Sequence, residues 1–197
     1  MKKVLIAILL LAAVTYGGFY FFGNKEKKKG DPDPAPLAIN KNSDAFNQSY
    51  QQLMTGYYSL KDALVASDTA KANAASKELI VYADSLKVGE IKGDSTGMIK
   101  ETAKTFTNTI SGSAQALAKE ATLEAKRKEF EMISDALWSL TRTVRYDREK
   151  VYYQYCPMAF NNKGAYWLSN QATIRNPYFG DEMLECGQVE DSLDYRN

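Results

Sequence analysis

From Phe46 to Val144, large apolar residues recur at intervals of three and four, the spacing that gathers side chains on one side of an α-helix. Phe46, Tyr50, Leu53, Tyr57, Leu60 and Leu64 form the first stripe, with Ser43 placed to cap its N-terminus. Ala72, Ala75, Leu79, Tyr82 and Leu86 form a second, starting after Ser67-Asp68. Gly89 to Gly97 interrupts the pattern. Ile99, Ala103, Phe106, Ile110, Ala114 and Leu117 make a third stripe, weakened at Gly112. A fourth begins near Thr122 and aligns Phe130, Ile133, Leu137, Leu140 and Val144.

Four such segments joined by short breaks predict an all-α fold, an up-down-up-down four-helix bundle over residues 43–145. Lys, Glu, Asn and Ser on the remaining faces are what solvated helix surfaces carry. The run Lys126-Arg127-Lys128 reads as solvent-exposed surface, and Met54, Met98 and Met132 read as core filler.

The N-terminus has a different character. Lys2 and Lys3 precede an uncharged run, Val4 to Phe22, which as a helix would rise about 28 Å, close to the thickness of a bilayer's hydrocarbon. Residues 1–23 read as a signal anchor or a signal peptide; small-residue cleavage sites are poor, Thr15-Tyr16-Gly17 being the best, which favours the retained anchor over export with cleavage. No cysteine follows the run, which excludes lipoprotein processing. A plain lysine count, with Lys25, Lys27, Lys28 and Lys29 beyond the run, argues for a cytoplasmic domain. The short basic start argues for export, and the expected location is the periplasmic side of an inner membrane. Residues 24–42, with Asp31-Pro32-Asp33-Pro34-Ala35-Pro36, read as an extended linker.

Composition removes several functions. Net charge is +1, so no long-range field points to nucleic acid. Histidine is absent, which excludes a histidine base and the commonest metal ligand. Zinc would need carboxylates beside thiolates, and two cysteines are too few for an iron–sulfur cluster within one chain. No nucleophile, base or cofactor motif stands out, and no enzyme is expected.

Residues 146–190 are rich in aromatic residues and hold both cysteines. They are expected to form an irregular segment that packs on the bundle and completes the same domain, followed by a tail at 191–197. Val151 to Tyr155 suits a short strand, and Asp181 to Cys186 one helical turn. Asn161, Asn162, Asn170 and Asn176 read as turn caps. Cys156 and Met158 are two apart, which in extended chain places both on one face; Met183 and Cys186 are three apart, which does the same on a helical turn. Convergence of the two pairs would give two thiolates and two thioethers, donors suited to Cu(I) or a similar soft ion, with Trp167 a possible aromatic shield. The competing state is a Cys156–Cys186 disulfide closing a loop of about 30 residues, for which chain entropy implies roughly 3–4 kcal/mol. In that case the segment is a stapled interaction domain without metal.

One resemblance bears on the choice. Cys156-Pro157-Met158-Ala159, Gly164-Ala165-Tyr166-Trp167-Leu168-Ser169, Ile174-Arg175-Asn176-Pro177-Tyr178-Phe179-Gly180, then Met183 and Cys186-Gly187, together resemble a bacterial cell-envelope domain of unknown function. That domain is found free or appended to CusB-type heavy-metal efflux adaptors. The Cys-Pro-Met start is also similar to a short heavy-metal-binding domain that has a histidine where this chain has Ala159. The resemblance implies an envelope location, an association with copper or related metals, and an efflux adaptor as partner.

Overall fold

The computed structural model describes residues 42–196. The signal-anchor segment at 1–23 and all but the last residue of the linker lie outside the described residues. Among the described residues no helix is long and apolar enough to cross a membrane.

The four stripes become α1 (Asp44–Val65), α2 (Thr69–Asp84), α3 (Met98–Lys119) and α4 (Leu123–Val144). Side-chain oxygens cap three of them. Ser43 accepts from the Phe46 N–H, Asp68 from Lys71 and Thr122 from Ala125, each satisfying a main-chain donor the helix leaves free. Helices adjacent in sequence are adjacent in space. The stripes of α1 and α4 are wholly buried, from Phe46 to Leu64 and from Phe130 to Val144. Tyrosine hydroxyls tie these two helices together: Tyr50 to Thr141 Oγ1 and Tyr57 to Ser134 Oγ, both at 2.7 Å.

The all-α expectation is wrong beyond α4. Val151–Cys156 (β1), Ala165–Ser169 (β2) and Gln188–Leu193 (β3) form an antiparallel sheet in the order β2-β1-β3. β3 runs into residues assigned to the tail. Gln154 pairs with Trp167 and Cys156 with Ala165 on one side of β1. On the other side Tyr153 pairs with Asp191 but Gln154 with Val189, so Glu190 is an extra residue that bulges β3. One face of the sheet stacks aromatic rings toward the bundle. Trp138 of α4 lies 4.2 Å from Tyr153, and Tyr153 lies 4.5 Å from Tyr166, centroid to centroid and nearly parallel. β2 is joined to the rest by two further tyrosines: Leu168 N–H donates to the Tyr57 hydroxyl at 2.9 Å, and the Tyr178 hydroxyl donates to Tyr166 C=O.

Tyr57 thus serves α1, α4 and β2 with one oxygen. Tyr57→Phe should strand the buried Leu168 N–H and lower stability by about 1–3 kcal/mol, read as a shift in the urea midpoint with unchanged slope.

Two further expectations are corrected. Lys126 is buried, donating to Asn73 Oδ1 at 2.6 Å and Leu117 C=O at 2.8 Å, and Arg127 is drawn inward to main-chain carbonyls; Lys128, 59% exposed, is the surface member of the run. Of the three methionines only Met54 fills the core. Met98 and Met132 are 65% and 52% exposed.

Candidate functional site

The sheet face away from the aromatic column is covered by the chain between β2 and β3. Three side chains hold that cover in place. Gln154, fully buried on β1, points its amide at the carbonyls of Gln171, Ala172 and Thr173, at 2.9, 3.2 and 3.3 Å. Arg127 of α4 donates to Pro177 C=O at 2.8 Å, to Ser67 Oγ and to Leu64 C=O at the end of α1. That helix has no basic residue in its last turn, so Arg127 supplies the cation its C-terminus lacks.

Asn176 is the third anchor. Its N–H donates to Leu184 C=O and its side-chain amide to Cys186 C=O, while its Oδ1 accepts from Tyr178 N–H, all at 2.8 Å. Its own carbonyl accepts from Gly180 N–H at 3.1 Å. One fully buried residue therefore binds both arms of the loop. It does cap a turn, as expected, but its larger contribution is to place Cys186. The signal for that was the short distance between Asn176-Pro177 and Cys186; their main-chain bonds are not legible in it. Gly180, at φ +60°, passes so close to Val65 C=O that an added Cβ would come within 2.7 Å of it. Glycine is required there for the loop to reach Arg127.

These anchors bring the two cysteines together. Cys156 ends β1 and is fully buried; Cys186 precedes β3 and is partly exposed; their sulfurs lie 3.4 Å apart and both are free thiols. Antiparallel pairing across β1 and β3, with Tyr155 opposite Gln188, is what closes the separation. The shared hydrogen bond, and then burial, raise the Cys186 thiol above its ordinary pKa. Trp167 is fully buried beside the pair: an added Cβ on Gly187 would come within 2.9 Å of its ring and 2.7 Å of Tyr155 C=O. Its indole N–H has no partner among the described residues.

The methionines adjoin the thiols along the chain. Met183 is half-buried, and its carbonyl accepts the Cys186 N–H at 3.1 Å, closing a turn that follows the 3₁₀ segment Gly180–Glu182. That short turn stands where a helical turn from Asp181 to Cys186 was expected. Met158 follows β1 and is 46% exposed. Beyond it Phe160, Asn161 and Asn162 take left-handed φ values of 50, 58 and 65°, and Gly164 at φ +79° approaches Tyr155. This sharp reversal returns the chain to β2. Among the described residues no three Cys, Asp or Glu side chains converge on a point where a metal could sit.

Residues 53–149 match a family described as a protein of unknown function (DUF3347). The match runs from within α1 to the residues just before β1 and stops short of both cysteines. No curated protein and no solved structure matches the chain.

Proposed function

We propose that the Cys156–Cys186 pair binds one soft metal ion, Cu(I) or a similar cation, and that the protein buffers such an ion or delivers it to an efflux adaptor from the periplasmic side of a membrane. The observation that carries this reading is the sulfur separation. With metal–sulfur bonds of about 2.3 Å, as in zinc thiolates, a tetrahedral centre wants its sulfurs about 3.8 Å apart. The observed 3.4 Å requires about 0.4 Å of opening for that. A disulfide, at about 2.05 Å, requires the sulfurs to close by more than 1.3 Å or so. The same arithmetic speaks against a linear two-sulfur centre, for which the pair would have to open to about 4.6 Å. A bent pair leaves coordination positions for thioethers, and Met183 and Met158, on the segments adjoining each thiol, are the donors proposed to fill them. Sulfur alone, without histidine in the chain or a converging carboxylate among the described residues, selects a soft ion over hard divalent ones.

Titration of the reduced full chain, in detergent, with Ag(I) as probe should show one tight equivalent. No binding with both thiols confirmed free would end the proposal. The raised pKa of Cys186 adds a pH dependence. Its thiol must lose a proton to ligate, so below that pKa affinity should rise about tenfold per pH unit for this one group. Competition titrations at about pH 6, 7 and 8 measure it, and a flat profile would exclude Cys186 as a thiolate donor. Without metal the sign reverses. Because the folded pKa lies above the unfolded value near 8.5, the thiol favours the fold below that value, and this contribution is lost as pH rises through the folded pKa.

The disulfide-stapled interaction domain remains the second reading, favoured by the one observation that among the described residues no third thiol or carboxylate joins the pair. Mass analysis, under non-reducing acidic conditions, of protein recovered from its own compartment separates the two: the staple leaves the chain two hydrogens lighter, whereas a metal site releases its ion and returns two free thiols at full mass.

A further inference from the structure

A cleft of about 620 Å³ opens between α1 and the chain after β2. Its volume falls within the range of small-molecule sites. Lys61 of α1 lines it and is only 6% exposed. Buried lysines need acceptors for three N–H donors. Lys126 shows how the fold meets that need, with Asn73 Oδ1 and Leu117 C=O both within 2.8 Å of its ammonium. Lys61 has no such arrangement. Among the described residues its one acceptor is Asp62 Oδ1 at 3.2 Å, on a side chain 65% exposed, and its other neighbour is the face of Tyr58 at 5.7 Å. Adjacent helix residues point apart, and an ion pair with so exposed a partner contributes little.

Arg175 lines the opposite wall, exposed and with no ion pair or hydrogen bond among the described residues; Asn170 and Gln171 stand beside it with side-chain amides. A buried ammonium with spare donors thus shares a cleft with an uncommitted guanidinium and amide donors.

We infer that this cleft binds a small oxyanion, a carboxylate or phosphate group, between Lys61 and Arg175, with Asp62 yielding its place on the ammonium. The two carboxylates at the cleft, Asp62 and Asp181, keep it neutral when no ligand is present and disfavour highly charged polyanions. The inference stands apart from the sulfur pair and requires no metal.

The test uses the full chain, thiols reduced and metal-free, in a mild detergent. Backbone amide shifts are followed during separate titrations with sodium succinate and sodium phosphate, against sodium chloride at matched ionic strength. Saturable shifts at Asn170, Gln171 and Arg175 are expected, with a Kd of about 1 mM or tighter. Whichever salt binds more tightly identifies the ligand as a carboxylate or a phosphoryl group. Arg175→Gln and Lys61→Gln should each weaken binding about tenfold, the loss of one charge-assisted hydrogen bond. Asp62→Asn should tighten it, which a merely structural role for Lys61 does not predict. Shifts reproduced by chloride, or an Arg175→Gln protein that binds as well as the original, would overturn the inference. Arg175 is exposed, so its variant keeps the test valid even if Lys61→Gln does not fold. Weaker binding by Asp62→Asn would remove Lys61 from the site.

Discussion

Cys156→Ser should cost the protein more than about a hundredfold in Ag(I) affinity, beyond the loss seen when an outer-shell partner of a metal ligand is removed. A hydroxyl is a hard donor and keeps its proton at neutral pH, so it replaces neither the softness nor the charge of a thiolate. The substitution is nearly isosteric, but it places a hydroxyl at a fully buried position and should also cost about 1–3 kcal/mol of stability. Cys186→Ser separates the two effects, because that side chain is partly exposed and the fold tolerates it more easily. Both variants should lose the ion, and Met158→Leu should lose much less, its thioether being one neutral donor on a side chain 46% exposed. Competition titration against a chelator of known strength measures all three. Tight binding retained in both serine variants would refute ligation by sulfur here.

Trp167→Ala is expected to be the most destabilising single change, at about 3–5 kcal/mol, the range for emptying a buried aromatic site. The indole is fully buried, packs edge-on against Tyr178 with centroids 6.0 Å apart, and lies directly beneath Gly187. Gln154 lies opposite Trp167 on β1, and the cover is tied down by Gln154, Asn176 and Arg127, so the cavity cannot readily collapse. Urea unfolding monitored by tyrosine and Trp138 fluorescence measures the loss. A change below about 1 kcal/mol would mean that the loop relaxes onto the sheet, contrary to the packing described.

The helices were legible because each buries one stripe, and a stripe at period 3.6 is visible in a single sequence. Their starts were legible because Ser43, Asp68 and Thr122 are residue types whose oxygens cap helices. Of the three strands only β1 was read as one, over Val151 to Tyr155, and it is a strand over Val151–Cys156. Its run of valine and tyrosines, residue types that favour strands, marked β1 even though it shows no alternation. Its partners were hidden, each for a different reason. β2 is covered on both sides, by the bundle and by the loop, and reads as an apolar run of ambiguous type. β3 is polar and mostly exposed, and its bulge at Glu190 breaks the period of two. Lys126 was misread because its acceptors, Asn73 and Leu117, lie on other helices. The four sulfur residues could be chosen from their softness and from the closeness of each methionine to a cysteine along the chain, but the meeting of Cys156 with Cys186 depends on β1–β3 register, which no spacing encodes.

A three-stranded sheet has two open sides, and such sides invite foreign chains to extend the ladder. Here the hydroxyls of Tyr57 and Tyr178 occupy the Leu168 N–H and the Tyr166 C=O of β2, so an approaching strand finds those two groups taken. At the other margin Glu190 and Asp191 present like charge and an irregular contour. The consequence is colloidal: at high concentration, copies of this domain are guarded against fibrillar self-association at both margins.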